Sequence, residues 1–238
     1  MPDICVEVKL PSGGKLYSKP IQWENQLRAP RLRDRGLGDT TRKNKLQATI
    51  LDNTLVQPLG MSTYDLHTAD FLYLNLKQRQ LSKGNAPYKV NLTCPNPKCK
   101  KQIVVSVPLE ELEVKMLGEV KPLTYKTLDE RELELTFITP RMLDECSDKA
   151  KAFQEEFEGT ELSFEDLRLQ ELLRFVIKKV DGKKLTDPQM TDFIQNMYQD
   201  DIDGVFEVLN NFDFGFQFIR ETECPECGKK IKYIVPVS

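Results

Sequence analysis

The chain has 238 residues, 30% of them charged and 39% hydrophobic, with a formal net charge of −3. That composition suits a globular protein of one large or two small domains. It excludes bulk electrostatic attraction to nucleic acid, and no run approaches the roughly 18 consecutive apolar residues of a membrane span. The start, Met1-Pro2-Asp3-Ile4-Cys5, has neither a basic n-region nor an apolar h-region, so no signal peptide is expected. Six cysteines in so long a chain do not make a disulfide scaffold. In a reducing compartment, close-spaced pairs read as metal ligands or redox motifs.

Residues 4–23 read as extended: Val6, Val8 and Leu10 alternate with charges, Pro11-Ser12-Gly13-Gly14 turns the chain, and Leu16 to Ile21 returns. Residues 28–45 are basic, with Arg28, Arg31, Arg33, Arg35, Arg42, Lys43 and Lys45. Pro30, Gly36 and Gly38 make this a loop or short helix: a solvated link, or a docking surface for an acidic partner or nucleic acid. A helix is predicted from about Lys43, with Leu46, Ile50, Leu51 and Leu55 on one face and Pro58 and Gly60 ending it. A second starts at Thr68-Ala69-Asp70 and stops at Gly84, and the two are expected to pack as an antiparallel pair.

Tyr88, Val90 and Leu92 alternate before Cys94, and Ile103, Val105 and Val107 alternate after Cys99, which predicts a hairpin. Residues 109–130 are mixed and charged; Glu132 to Ile138 reads as a further strand. Thr139-Pro140 is a helix start, with Thr as cap and Pro at the first helical position. Ser163-Phe164-Glu165-Asp166 resembles a capping box with Asp in place of Glu, opening a helix that carries Leu167 to Ile177. Asp181-Gly182 turns, Thr186-Asp187-Pro188 opens another helix, and a last one holds Ile202, Val205, Phe206 and Leu209. The tail is β again: Phe214, Phe216 and Phe218 alternate up to Cys224, and Ile231, Tyr233 and Val235 alternate after Cys227.

The chemistry lies in the two cysteine pairs. Cys94-Pro95-Asn96-Pro97-Lys98-Cys99 and Cys224-Pro225-Glu226-Cys227-Gly228 each sit between β-rich runs and are followed by lysines. Cysteines two to four residues apart let one tight turn offer two thiolates to tetrahedral Zn²⁺. Gly228 tolerates the left-handed backbone such a turn needs, and the lysines offset thiolate charge. Cys94, Cys99, Cys224 and Cys227 are therefore the expected ligands of one structural zinc. Two unrelated thiol pairs or two local disulfides are the alternative. A redox pair is disfavoured, because thioredoxin-type pairs open a helix and these sit in hairpins.

Little else could catalyse. His67, the only histidine, precedes a helix and reads as a cap or surface residue. Cys146 falls on the apolar side of its helix, as a core residue does. Gly36-x-Gly38 lacks the context of a phosphate loop. Asp200, Asp201 and Asp203 lack the glycine and distal glutamate of a calcium loop and fit a helix N-terminus. The phenylalanines of residues 212–218 read as core rather than as a base-stacking platform.

Leu10-Pro11-Ser12-Gly13-Gly14-Lys15-Leu16-Tyr17, then Thr68-Ala69-Asp70-Phe71-Leu72-Tyr73-Leu74, then a Gly84-x-x-x-Tyr88 step into the Cys94-Pro95 turn, together resemble a phage family. That family is the baseplate hub proteins of T-even-type contractile-tailed bacteriophages. The resemblance spans roughly residues 6–145, departs at residues 28–45, and is consistent with the second knuckle of zinc-bearing members. It implies a virion or assembly protein, not an enzyme, that is assembled in the host cytoplasm, contacts other hub and tail proteins, and has scope for homo-oligomer formation.

The expected fold is α+β: a four-cysteine zinc-ribbon-like β module with a helical insertion and an N-terminal β/helical segment. The expected units are residues 1–87 for the hairpin and helical pair, 88–138 with 212–238 for the metal module, and 139–211 for the insertion. Two functions follow: a structural or assembly protein of the tail baseplate, or a zinc-ribbon nucleic-acid-binding or transcription accessory protein. The net charge counts against the second.

Overall fold

The computed structural model describes residues 5–21, 39–56, 60–84, 86–118, 122–157, 162–210, 214–216 and 218–235. Of the arginine-rich stretch, residues 28–38 lie outside that set. The fold is α+β, as expected.

Strands β1 (Val6–Lys9) and β2 (Lys15–Ser18) pair antiparallel, with Val8 opposite Leu16. Alternation turns Val8, Leu10 and Leu16 inward. Gly13 (φ 97°) closes the turn, donating to Leu10 O at 2.9 Å. Helix α1 (Asp39–Thr54) begins upstream of the expected Lys43. Helix α2 (Thr68–Lys83) ends at Gly84, φ 66°, as its stop signal requires. The hairpin, α1 and α2 share a core that includes Leu16, Ala48, Leu51, Phe71 and Leu74. Polar groups buried there are matched: Ser18 Oγ donates to Gln78 Oε1 (2.9 Å), and Gln78 Nε2 donates to Lys19 O (2.7 Å).

The next hairpin is β3 (Tyr88–Thr93) against β4 (Gln102–Val107). The mixed region after it holds two short strands that its polar sequence hides, β5 (Val114–Lys115) and β6 (Thr124–Lys126). Strand β7 (Glu132–Leu135) stops short of the expected Ile138. Helix α3 (Pro140–Glu156) starts where Thr139 Oγ1 accepts from Met142 N–H at 3.3 Å. Helix α4 (Phe164–Val176) carries the full box: Asp166 N–H donates to Ser163 Oγ and Ser163 N–H to Asp166 Oδ2, both at 3.1 Å.

Ile177 is not helical. It opens β8 (Ile177–Val180), which completes an antiparallel sheet in the order β6-β7-β8. The apolar run simply passes from helix to strand without a breaker. Helices α5 (Asp187–Gln195) and α6 (Gln199–Asn210) follow. Leu123, Leu133 and Leu135 pack with Cys146, Leu173, Val176, Met190, Ile194 and Val205, so this sheet and the helices α3 to α6 form one core. Asp201, buried at the start of α6, accepts from Leu128 N–H (2.8 Å) and Tyr125 O–H (3.1 Å) and so fixes α6 to the β6–β7 turn.

The single strand expected from Phe214 to Cys224 is instead two strands in two sheets. Strand β9 (Gly215–Phe216) pairs with β5, Phe216 opposite Val114. Strand β10 (Ile219–Glu223) pairs with β11 (Lys230–Ile234). Gly215 marks the break: its φ is 99°, and a β-carbon there would lie 2.7 Å from Ala69 Cβ on α2. Gly215→Ala is therefore expected to cost about 2 kcal/mol from left-handed strain and overpacking, read as a lowered denaturation midpoint. Phe214 and Phe216 are buried, as expected, and Phe216 packs with Leu76, Tyr88, Val90, Val107 and Val235; Phe218 is partly buried beside them, and Phe212 lies outside the described residues.

Candidate metal centre

Each cysteine pair sits where a hairpin ladder ends. Thr93 opposite Gln102 is the last pair of β3–β4, and Glu223 opposite Lys230 is the last pair of β10–β11. One more backbone bond then closes each loop: Cys94 N–H to Lys101 O (2.9 Å) and Cys224 N–H to Lys229 O (3.0 Å). Inside the first loop Asn96 O accepts from both Cys99 N–H (2.9 Å) and Lys100 N–H (3.0 Å). Inside the second, Gly228 N–H donates to Cys224 O at 2.8 Å.

The residue after the second cysteine is left-handed in both loops, Lys100 at φ 49° and Gly228 at φ 68°. Glycine announces that geometry in a sequence; lysine does not. A β-carbon on residue 228 would meet nothing within 4 Å. Gly228→Ala is thus expected to cost only backbone strain, about 1 kcal/mol, as a small drop in the melting temperature of the metal-loaded chain with its metal content unchanged.

The two loops bring all four sulfurs within 4.8 Å of one another. Cys94 Sγ lies 3.7 Å from Cys227 Sγ, and Cys99 Sγ lies 3.7 Å from Cys224 Sγ, so sulfurs of opposite loops stand side by side. Disulfides require about 2.05 Å, and none of the four is bonded to another. Four thiolates around one tetrahedral Zn²⁺, with Zn–S about 2.3 Å, stand roughly 3.8 Å apart. The set is spaced for a metal ion.

The electrostatics are those of crowded thiols. At Cys227 a backbone N–H donated by Lys229 leads the stabilisation of the thiolate, and its pKa falls to about 7. At Cys94 the backbone N–H of Asn96 pulls the same way, but burial and the neighbouring thiols outweigh it, and the pKa rises to about 12. Lys101 Nζ reaches across to Glu226 Oε1 at 2.9 Å, so this lysine bridges the two loops. Beneath the sulfurs Ile231 is buried, with Leu92 and Ile103 packed beside it.

The other singled-out residues stand apart from this cluster. His67 caps α2, its Nδ1 accepting from Ala69 N–H at 3.0 Å. It is half-buried against the rings of Phe137 and Phe214, so it is no surface residue, and desolvation lowers its pKa to about 4. Cys146 is wholly buried in the core of the helices, as expected. Sequence reasoning missed two further buried carboxylates. Asp144 accepts from Tyr64 O–H and from Asn44 Nδ2 (2.9 Å), and Asp70 accepts from Ser12 N–H (3.0 Å).

A family model described as "T4 bacteriophage base plate protein" matches residues 1–236. The chain belongs to that family. No curated protein and no solved structure matches it. The match runs through both cysteine loops of this base plate protein, well beyond the motifs that carried the resemblance. Those motifs also meet in space: the turn Pro11-Ser12-Gly13 is held to the start of α2 by the bond from Ser12 to Asp70. No described helix is long and apolar enough to cross a membrane.

Proposed function

We propose that the chain is a structural or assembly protein of the hub region of a contractile phage tail base plate. It acts through contacts with other hub and tail proteins and resides in the tail of the virion after assembly in the host cytoplasm. Cys94, Cys99, Cys224 and Cys227 hold a structural zinc ion, which clasps the β3–β4 and β10–β11 hairpins. The carrying observation is the family match over residues 1–236. The sulfur geometry supports the zinc, since four thiolates close a tetrahedral shell and leave no position for a substrate. The only histidine has its Nδ1 engaged in a helix cap, which supports a non-catalytic protein.

A map of assembled tails or of purified tail intermediates tests this reading. The chain is expected at the hub, with one metal ion per copy. Its absence from tails and from every intermediate would overturn it. One observation favours the nucleic-acid reading: Lys98, Lys100, Lys101, Lys229 and Lys230 are all exposed around the two loops. Tight DNA binding with a steep salt dependence would support that reading instead.

A further inference from the structure

Among the described residues strand β1 pairs with β2 alone, and the backbone bonds around β2 show which groups its other edge presents. Val56 N–H donates to Tyr17 O and Lys19 N–H donates to Thr54 O, both at 2.9 Å. The backbone groups of Tyr17 and Lys19 thus point away from β1, and those of Leu16 and Ser18 point toward it. The register then makes Val6–Ser18 and Val8–Leu16 the hydrogen-bonded pairs. The N–H and C=O of Glu7 and Lys9 are left facing outward, and no other described segment bonds to them.

Beside this edge lies a cavity of about 350 Å³, walled by β1 and by Tyr73, Lys77, Gln80 and Leu81 of α2. Tyr73 and Leu81 give it an apolar lining. Lys77 gives it a half-buried cation. Its ammonium faces the Tyr73 ring at 5.4 Å, burial lowers its pKa, and no carboxylate of a described residue pairs with it. The nearest acid on the strand is already engaged: Glu7 takes Lys15 Nζ (3.2 Å) and Tyr17 O–H (3.1 Å).

We propose that this edge binds an extended segment of another polypeptide as a third strand, with an acidic side chain reaching Lys77. Backbone bonds to Glu7 and Lys9 supply the register, alternate side chains of the added strand enter the cavity, and the unmatched ammonium selects acid over base. The inference rests on the reading of the chain as a protein that works through protein contacts. It is independent of the metal.

The test uses the purified, metal-loaded chain and two end-blocked hexapeptides, one alternating Val with Asp and one alternating Val with Lys. Amide hydrogen exchange is followed residue by residue. The Asp peptide is expected to slow exchange at Glu7 and Lys9 by about tenfold or more, and the Lys peptide is expected to leave it unchanged. Lys77→Glu should reverse that order; if it misfolds by circular dichroism, Lys77→Met should abolish the preference. No protection, or equal protection by both peptides, overturns the proposal. So does protection that rises with protein concentration alone, which would show that a second copy takes the edge. Failure on any of these counts leaves the base plate assignment standing.

Discussion

Cys224→Ser is expected to strip the metal from the chain and melt the tip of the two hairpins, while the helical core stays folded. Cys224 is buried, and its sulfur faces Cys99 of the other loop. Without the ion, little holds the loops together. The buried cluster there consists of Cys94, Cys224 and Ile231, two of which are ligands, and the one ion pair between the loops, Lys101–Glu226, is exposed. Such an exposed, salt-screened pair contributes little, whereas structural zinc in small modules supplies roughly 10 kcal/mol or more of binding free energy that is also folding free energy. The core built on Leu133, Leu173, Val176 and Val205 shares no residue with that cluster. The variant should therefore show metal content falling from one ion per chain toward none, and a new early unfolding step ahead of the main transition. Cys146→Ser is the control. Cys146 is equally buried but lies in the helical core, so a hydroxyl there should cost about 1–3 kcal/mol with metal content untouched. A Cys224→Ser chain that still carries one ion would refute the four-sulfur centre.

What could be read from the sequence was whatever depends on near neighbours. The caps at Thr139, Ser163 and the stop at Gly84 stand where expected, because each motif is completed within a few residues. The cysteine loops were legible for the same reason: two ligands and their turn fit in six residues or fewer, and cysteine at that spacing has few other uses. The errors lie where distant partners decide. Strand β8 looked like more of α4 because Ile177 continues the apolar run, and only pairing with β7 pulls it into the sheet. The Phe214–Phe218 alternation looked like one strand. Gly215 turns it so that Phe216 meets Val114 while β10 joins β11. Nothing local to Asp70, Asp144 and Asp201 announces that each is buried. Their donors, Ser12, Tyr64 and Tyr125, stand 58 to 80 positions away.

His67 is expected to make the fold weaken in acid between about pH 6.5 and 4, beyond any loss that comes from the metal ligands. An unfolded histidine titrates at 6.5, whereas desolvation against Phe137 and Phe214 holds the folded group to about 4. The folded state thus binds the proton less well than the unfolded state. Stability is full above pH 6.5 and falls as pH drops toward 4, by about 1.4 kcal/mol per unit and about 3 kcal/mol in all. The structure explains the penalty. Protonation removes the Nδ1 acceptor that caps α2 and sets a positive charge at a helix N-terminus. Asp70 and Asp144 run the other way, since burial raises their pKa and acid relieves their desolvation. A comparison of two chains therefore isolates the histidine. His67→Asn keeps a capping side chain, loses the ring packing, and cannot titrate. At pH 7.5 the variant should be about 1 kcal/mol less stable than the parent, for the lost aromatic contacts. As pH falls the parent should weaken more steeply than the variant, which shares its metal ligands and carboxylates, so the two stability curves should cross between pH 6.5 and 4.5. Because the chain has a single histidine, its imidazole titration is also visible without assignment by NMR. Parallel stability curves, or a folded-state titration near 6.5, would show that His67 is solvated and that the cap between α2, Phe137 and Phe214 is not built as described.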